Sequence, residues 1–108
     1  MSETHTPRPR VVITGIGTVN PLGLNVHESW DAALAGRSGI RRIEAFDAEA
    51  AGLKSQIAGE VRGFDPRAYM DAKESRRMDR VSQLAIAAAA EAWADAGLAM
   101  GDELADEA

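Results

Sequence analysis

The chain has 108 residues, no cysteine and a net charge of −5; apolar residues make up 45% of it and aromatic residues only 5%. That length allows one domain at most, with a thin core dominated by alanine. The lack of cysteine excludes disulfides, thiolate metal sites and a cysteine nucleophile within these residues, and the acidic balance excludes a general nucleic-acid binder, which needs a broad basic surface.

A polar opening with Pro7 and Pro9 reads as a disordered tail over 1–10, and the organised segment as 11–108. Val11-Val12-Ile13-Thr14 is a β-branched run expected to form a buried strand. Gly15-Ile16-Gly17 follows it and invites a dinucleotide-binding reading, but Asn20 stands where that fingerprint needs a third small residue. No cofactor is expected, and the two glycines are read as residues that let the chain turn tightly at the strand end. Asn20-Pro21 and Gly23 form a loop. Asn25 then caps a helix with Val26, Trp30, Ala33 and Leu34 on one face, and Gly36 sits where a left-handed C-terminal residue is wanted. From Gly39 to about Leu53 a loop is expected. Ile57, Gly59 and Val61 suggest a second short strand, closed by Gly63, Asp65 and Pro66, which start a short helical turn. A long helix from about Lys73 to Ala96, broken near Met78 and stopped by Gly97, completes the series.

The apolar run over 84–90 is far short of the roughly 20 residues that span a bilayer, so a cytoplasmic protein without membrane contact is expected. The run Leu84-Ala85-Ile86-Ala87-Ala88-Ala89-Ala90 is apolar on every side of its helix. A helix of that kind belongs inside a larger body, and its small side chains let neighbouring backbones come close. The plainer reading is an alanine-rich helix with ordinary exposure, since alanine favours helix on surfaces too.

Against the acidic background, Lys73, Arg76, Arg77 and Arg80 follow the i, i+3, i+4, i+7 spacing that puts four cations on one helical face. Such a stripe attracts an acidic partner and raises the encounter rate without a deep pocket. The same spacing also fits a solvated face in which Glu74 pairs with Arg77, or Asp79 with a nearby arginine.

Several stretches fit one pattern in order and spacing: Val11-Val12-Ile13-Thr14-Gly15-Ile16-Gly17, Asn20-Pro21-Leu22-Gly23, Trp30, Leu34-Ala35-Gly36-Arg37-Ser38-Gly39-Ile40, Phe46-Asp47, and Lys73-Glu74-Ser75-Arg76-Arg77-Met78-Asp79. Together they resemble the N-terminal part of the 3-oxoacyl-[acyl-carrier-protein] synthases, more the type II than the type I enzymes, over about Arg10 to Leu98. The resemblance implies an α/β fold, the thiolase-like arrangement of helix, sheet, helix, sheet and helix layers, of which this chain holds an incomplete N-terminal portion. It implies decarboxylative Claisen condensation in fatty acid synthesis. An acyl group passes to a cysteine, malonyl-carrier protein loses carbon dioxide, and the resulting carbanion attacks the acyl thioester.

That chemistry uses a thiolate and two imidazoles, which by the resemblance come later than Ala108. His5 and His27 match no catalytic position, so no catalytic, cofactor-binding or metal-ligating residue is assigned, and the segment alone is expected to be inactive. The acidic run 102–107 is read as leading toward the family's next helix and strand. By the same resemblance Lys73, Arg76 and Arg77 match a basic patch that receives the acidic helix of acyl carrier protein, with Arg80 an added cation. The implied partners are acyl carrier protein and, for the complete enzyme, a second copy of itself. Two other readings stay open. One is a free-standing module that docks carrier protein without catalysing a reaction; the other is the N-terminal part of a catalytically silent polyketide chain-length partner.

Overall fold

The computed structural model describes residues 6–99; His5 and the acidic run 102–107 lie outside them. The elements are α1 (Val26–Leu34), β1 (Ile40–Arg42), β2 (Ile57–Gly59), a 3₁₀ turn (Pro66–Ala68), α2 (Ala72–Ser75) and α3 (Arg80–Asp95). β1 and β2 pair antiparallel, with Ile40 opposite Gly59 and Arg42 opposite Ile57.

The helix ends follow from capping chemistry. Asn25 accepts the Glu28 N–H at 2.8 Å, and Glu28 in turn accepts the Leu24 N–H at 2.9 Å. At the other end of α1, Gly36 takes a φ of +70°. The N–H groups of Gly36 and Arg37 there reach back to the carbonyls of Ala33 and Ala32, closing the helix in a Schellman motif. α3 repeats the device: Gly97 has a φ of +78°. Its N–H and that of Leu98 bond to Ala94 and Trp93. Asp79 caps the start of α3 by accepting the Ser82 N–H at 3.1 Å. That cap is why the helix expected over Lys73 to Ala96 is two helices separated by a turn.

Four expectations about the fold are corrected, the last of them the role of Gly15 and Gly17. The run 11–14 forms no strand. No described segment lies beside it to complete a ladder, and Val11, Val12 and Ile13 are 91%, 71% and 84% exposed. The stretch expected as loop after Gly39 contains β1, whose partner β2 lies outside the local window that a sequence pattern reads. The apolar face expected on α1 is not buried: Trp30 and Leu34 are exposed, and Ala32 on another side of the helix is the buried residue.

Gly15 and Gly17 have the role most changed by the structure. Neither has a positive φ, so neither is there for a tight turn. A Cβ on Gly17 would run into the Ala88 carbonyl and lie 2.7 Å from the Ala92 nitrogen; one on Gly15 would strike the Ala92 carbonyl and lie 2.6 Å from the Ala96 nitrogen. The segment therefore crosses α3 backbone against backbone. The spacing fits on both sides, since two residues of extended chain cover about 6.6 Å and four residues of helix about 6 Å. Gly15 and Gly17 thus register on Ala88, Ala92 and Ala96, one helical turn apart.

Two carboxylates on α3 fix this crossing. Asp95 accepts the Ile16 N–H at 3.0 Å, and Glu91 accepts the N–H of Thr18 and of Val26, each at 2.9 Å. The Val26 N–H belongs to the first turn of α1, where helix donors lack internal partners, so Glu91 ties loop, α1 and α3 together. The turn over 20–23 completes the frame. Asn20 accepts the Leu22 N–H at 2.8 Å and donates to Ser29 Oγ at 2.8 Å, and Pro21 lies against Gly39 and Gly59 beside the strand pair.

Among the described residues only Ala32, Ala48, Ala87 and Ser75 are buried, and no large apolar side chain is. The radius of gyration is 19.7 Å, against about 13 Å for a compact domain of this length. The alanine helix is accordingly enclosed on one side only. Ala87 is 1% exposed while Val81 is 69% exposed, so the described residues leave apolar faces uncovered.

Candidate functional site

Lys73 lies in α2, Arg76 caps it, Arg77 follows in the turn, and Arg80 opens α3. The four-cation face of a continuous helix does not exist as such, because Asp79 restarts the helix. Three of the four remain together. The Arg76 N–H bonds to the Ala72 carbonyl at 3.3 Å, and the Arg77 and Met78 N–H groups bond to Glu74 and Ser75 at 3.0 and 3.3 Å, so the backbone stays helical or 3₁₀ through Met78. Ala72, Ser75 and Met78 turn inward while Lys73, Glu74, Arg76 and Arg77 are exposed.

The turn is anchored from beneath. Ser75 is buried and its hydroxyl donates to the Ala72 carbonyl at 2.8 Å, while its own carbonyl accepts from Gln83 Nε2 of α3 at 2.8 Å. Hydrogen bonds from Ser82 hold the Asp79 carboxyl below the usual carboxylate range, so the cap stays charged and bound to its own helix. The ion pairs expected of a merely solvated face are absent among the described residues: neither Glu74 nor Asp79 pairs with a basic side chain. Lys73, Arg76 and Arg77 therefore have no neutralising partner among the described residues.

Arg42, Arg62 and Arg67 are paired within the fold, whereas Arg8, Arg10, Arg37, Arg41 and Lys54 make no ion pair among the described residues but are not gathered on one turn. Arg67 forks onto Asp65 through Nε and Nη2 at 3.0 and 2.9 Å. Arg62 bridges Glu44 and Glu60 at 3.1 and 3.3 Å, beneath the loop whose Glu44 and Ala45 N–H groups bond to Glu60. Those bonds, the one from Glu44 first, hold the Glu60 carboxyl below its ordinary value.

Arg80 is placed differently from the other three. Its guanidinium carbon lies 4.9 Å from the centroid of the Phe64 ring, and Phe64 stacks on Tyr69 with centroids 5.9 Å apart and planes 16° from parallel. Sequence reasoning missed Phe64, Tyr69 and Gln83. The only available signal for the two rings was the scarcity of aromatic residues, two of which lie shortly before the basic run.

Among the described residues no acid–base constellation is assembled. His27 is exposed and pairs with Asp31 at 3.2 Å. An open cleft of about 660 Å³ is lined by His27, Trp30, Glu91 and Asp95. The two α3 carboxylates in it are occupied by backbone donors. Among the described residues no group of three histidine, aspartate or glutamate side chains could hold a metal ion, and no helix is long and apolar enough to cross a membrane.

A family profile described as the N-terminal domain of beta-ketoacyl synthase matches residues 8–107. The chain belongs to that family. The ketoacyl synthase segment is 47% identical over 93 residues to 3-oxoacyl-[acyl-carrier-protein] synthase 2 of Coxiella burnetii, covering 86% of this chain and 22% of the relative. The corresponding protein of Vibrio cholerae is 46% identical over 94 residues, covering 87% of this chain and 22% of its own length. That of Staphylococcus aureus is 45% identical over 97 residues, covering 90% and 23%. The chain thus spans between a fifth and a quarter of the length of these relatives.

Among solved structures, the ishigamide ketosynthase/chain length factor superposes with a TM-score of 0.75 at 41% identity, over 86% of this chain and 23% of that one. A beta-ketoacyl synthase from Burkholderia phymatum gives 0.67 at 35% identity, over 88% and 23%. The fold expected from the sequence, the N-terminal portion of the layered α/β architecture of ketosynthases, is the fold of this family.

Proposed function

We propose that the ketoacyl synthase segment serves a condensing enzyme of fatty acid synthesis, and that its own contribution is a docking surface for acyl carrier protein formed by Lys73, Arg76 and Arg77. The reaction elongates an acyl chain by decarboxylative Claisen condensation. The acyl group sits on a cysteine, the malonyl thioester loses carbon dioxide, and its carbanion attacks the acyl carbonyl and expels the thiolate. The described residues supply no nucleophile or free imidazole pair for these steps, so the role argued for this chain is recognition of the carrier.

One observation carries the reading. Three cations share a single anchored turn, none is neutralised within the described residues, and the chain around them is acidic overall. Such a patch attracts an acidic partner while the acidic surface around it repels that partner, which orients encounter. Together the three side chains contribute about 1 to 3 kcal/mol, mostly through on-rate, because exposed charges keep their hydration. The relatives named as acyl-carrier-protein synthases support the choice of partner. A homodimer of the complete enzyme and a cytoplasmic location belong to the same reading.

The test is carrier binding by the full-length natural protein with Arg76→Glu and Arg77→Glu combined. The expected loss is about tenfold or more at low ionic strength, shrinking as the Debye length falls from about 10 Å at 0.1 M salt to about 3 Å at 1 M. Unchanged affinity at low salt would sink the docking role.

A second reading is favoured by the superposition on a ketosynthase/chain length factor: the segment belongs to a chain-length partner that docks carrier without condensing. Sequencing the coding region that follows separates the two. A cysteine with two later histidines supports the condensing enzyme, and a replaced cysteine the silent partner.

A further inference from the structure

We infer that Arg80 is a positioning residue that clasps the basic turn from below and does not itself meet the acidic partner. This rests on the docking role of Lys73, Arg76 and Arg77 proposed above and assigns the fourth cation a different task. Phe64 and Tyr69 precede the basic turn in the chain and Arg80 follows it. The stack of Arg80 on Phe64 and of Phe64 on Tyr69 therefore joins the two ends of the stretch that carries the three free cations. Gln83 adds a second tie, from α3 to the Ser75 carbonyl.

Two physical arguments separate Arg80 from its neighbours. An arginine in the first turn of a helix faces the positive end of the macrodipole, an unfavourable place for a cation, and the negative face of the Phe64 ring offsets it. A guanidinium with one face against a ring also has fewer directions in which to meet an incoming carboxylate, whereas Lys73, Arg76 and Arg77 have no ring or ion-pair contact among the described residues. The clasp sets where the turn points, and the turn carries the charge.

The experiment uses the full-length natural protein with Phe64→Leu, Arg80→Met and the double variant, and two readouts. The first is hydrogen exchange at the amides of Arg76, Arg77 and Met78, which report the turn whether or not a carrier is present. The second is affinity for acyl carrier protein across a salt series. Phe64→Leu changes no charge, so a clasp predicts faster exchange at the three amides and affinity weakened about two- to fivefold, with the slope of log Kd against log salt unchanged. Arg80→Met should give a similar loss, and the double variant no more than either alone.

Exchange at these amides unchanged in Phe64→Leu would overturn the clasp. So would an unchanged affinity in Phe64→Leu beside a flattened salt slope in Arg80→Met, which makes Arg80 a direct contact. Faster exchange in Phe64→Leu, found together with no effect of reversing Arg76 and Arg77 on carrier binding, supports the clasp while removing the docking role.

Discussion

The two ends of α3 are held by opposite means. At its C-terminal half the partner segment has shed its side chains: Gly15 and Gly17 lie on Ala88, Ala92 and Ala96, and the fit depends on atoms that are missing. At its N-terminal end the hold is made by side chains, with Asp79 as cap, Gln83 on the Ser75 carbonyl and Arg80 on Phe64. The first arrangement tolerates no added atom. The second leaves an exposed turn above it whose outer residues are free to vary in charge without disturbing the fold. The close-packed contact lies at one end of the helix and the proposed docking surface at the other.

Substitutions can break that contrast. Gly17→Val should destabilise the full-length natural protein by about 3 kcal/mol in urea denaturation, because the new side chain meets helix backbone that cannot step aside. A loss below that of a surface substitution would mean the crossing is loose. Glu91→Ala should cost about 2 kcal/mol by the same assay, since the Thr18 and Val26 N–H groups lose their shared acceptor; Glu91→Gln, with one carbonyl oxygen left, should recover part of it. Asn25→Ala should cost about 1 kcal/mol through the lost cap of α1.

At the other end, Arg76→Glu with Arg77→Glu should change stability by no more than about 0.5 kcal/mol while carrier affinity falls. A large loss of stability there would erase the division between the two ends. The smallest effect is in acid. Asp79, Asp65 and Glu60 all have carboxyls held below their ordinary values by hydrogen bonds. Their contribution is fully present above the ordinary carboxylate range and is lost as pH falls through the lowered folded-state values. A melting series should therefore decline on the acid side, and replacing Asp79 by Asn should reduce that decline.

Local chemistry made much of the frame legible in the sequence. Asn25 and Gly36 bracket α1, Gly97 ends α3, and the Asp65-Pro66 pair starts the 3₁₀ turn, because each acts on backbone groups within a few residues. The break near Met78 was legible, but its consequence for Arg80 was not, since a ring sixteen positions earlier decides where that guanidinium goes. β1 was hidden because two of its three residues are arginines and its register is set by residues beyond the loop. The glycines misled for the same reason: a glycine needed for close approach looks in sequence like one needed for a turn, and the helix it approaches lies more than seventy residues away. The run 11–14 has the composition of a strand, yet composition cannot supply the neighbouring chain that a ladder requires.

The glycine crossing also bears on the order of assembly. Its surface is the backbone of a formed helix, and its hydrogen bonds join residues 73 and 79 positions apart in the chain. Neither the alanine stripe nor the spacing of Glu91 and Asp95 exists until α3 has coiled, so the extended segment has nothing to settle on before then. Long loop closure adds to the delay. A substitution at Gly17 should consequently leave the refolding rate nearly untouched and show itself as faster unfolding, the mark of a contact that forms on the native side of the barrier.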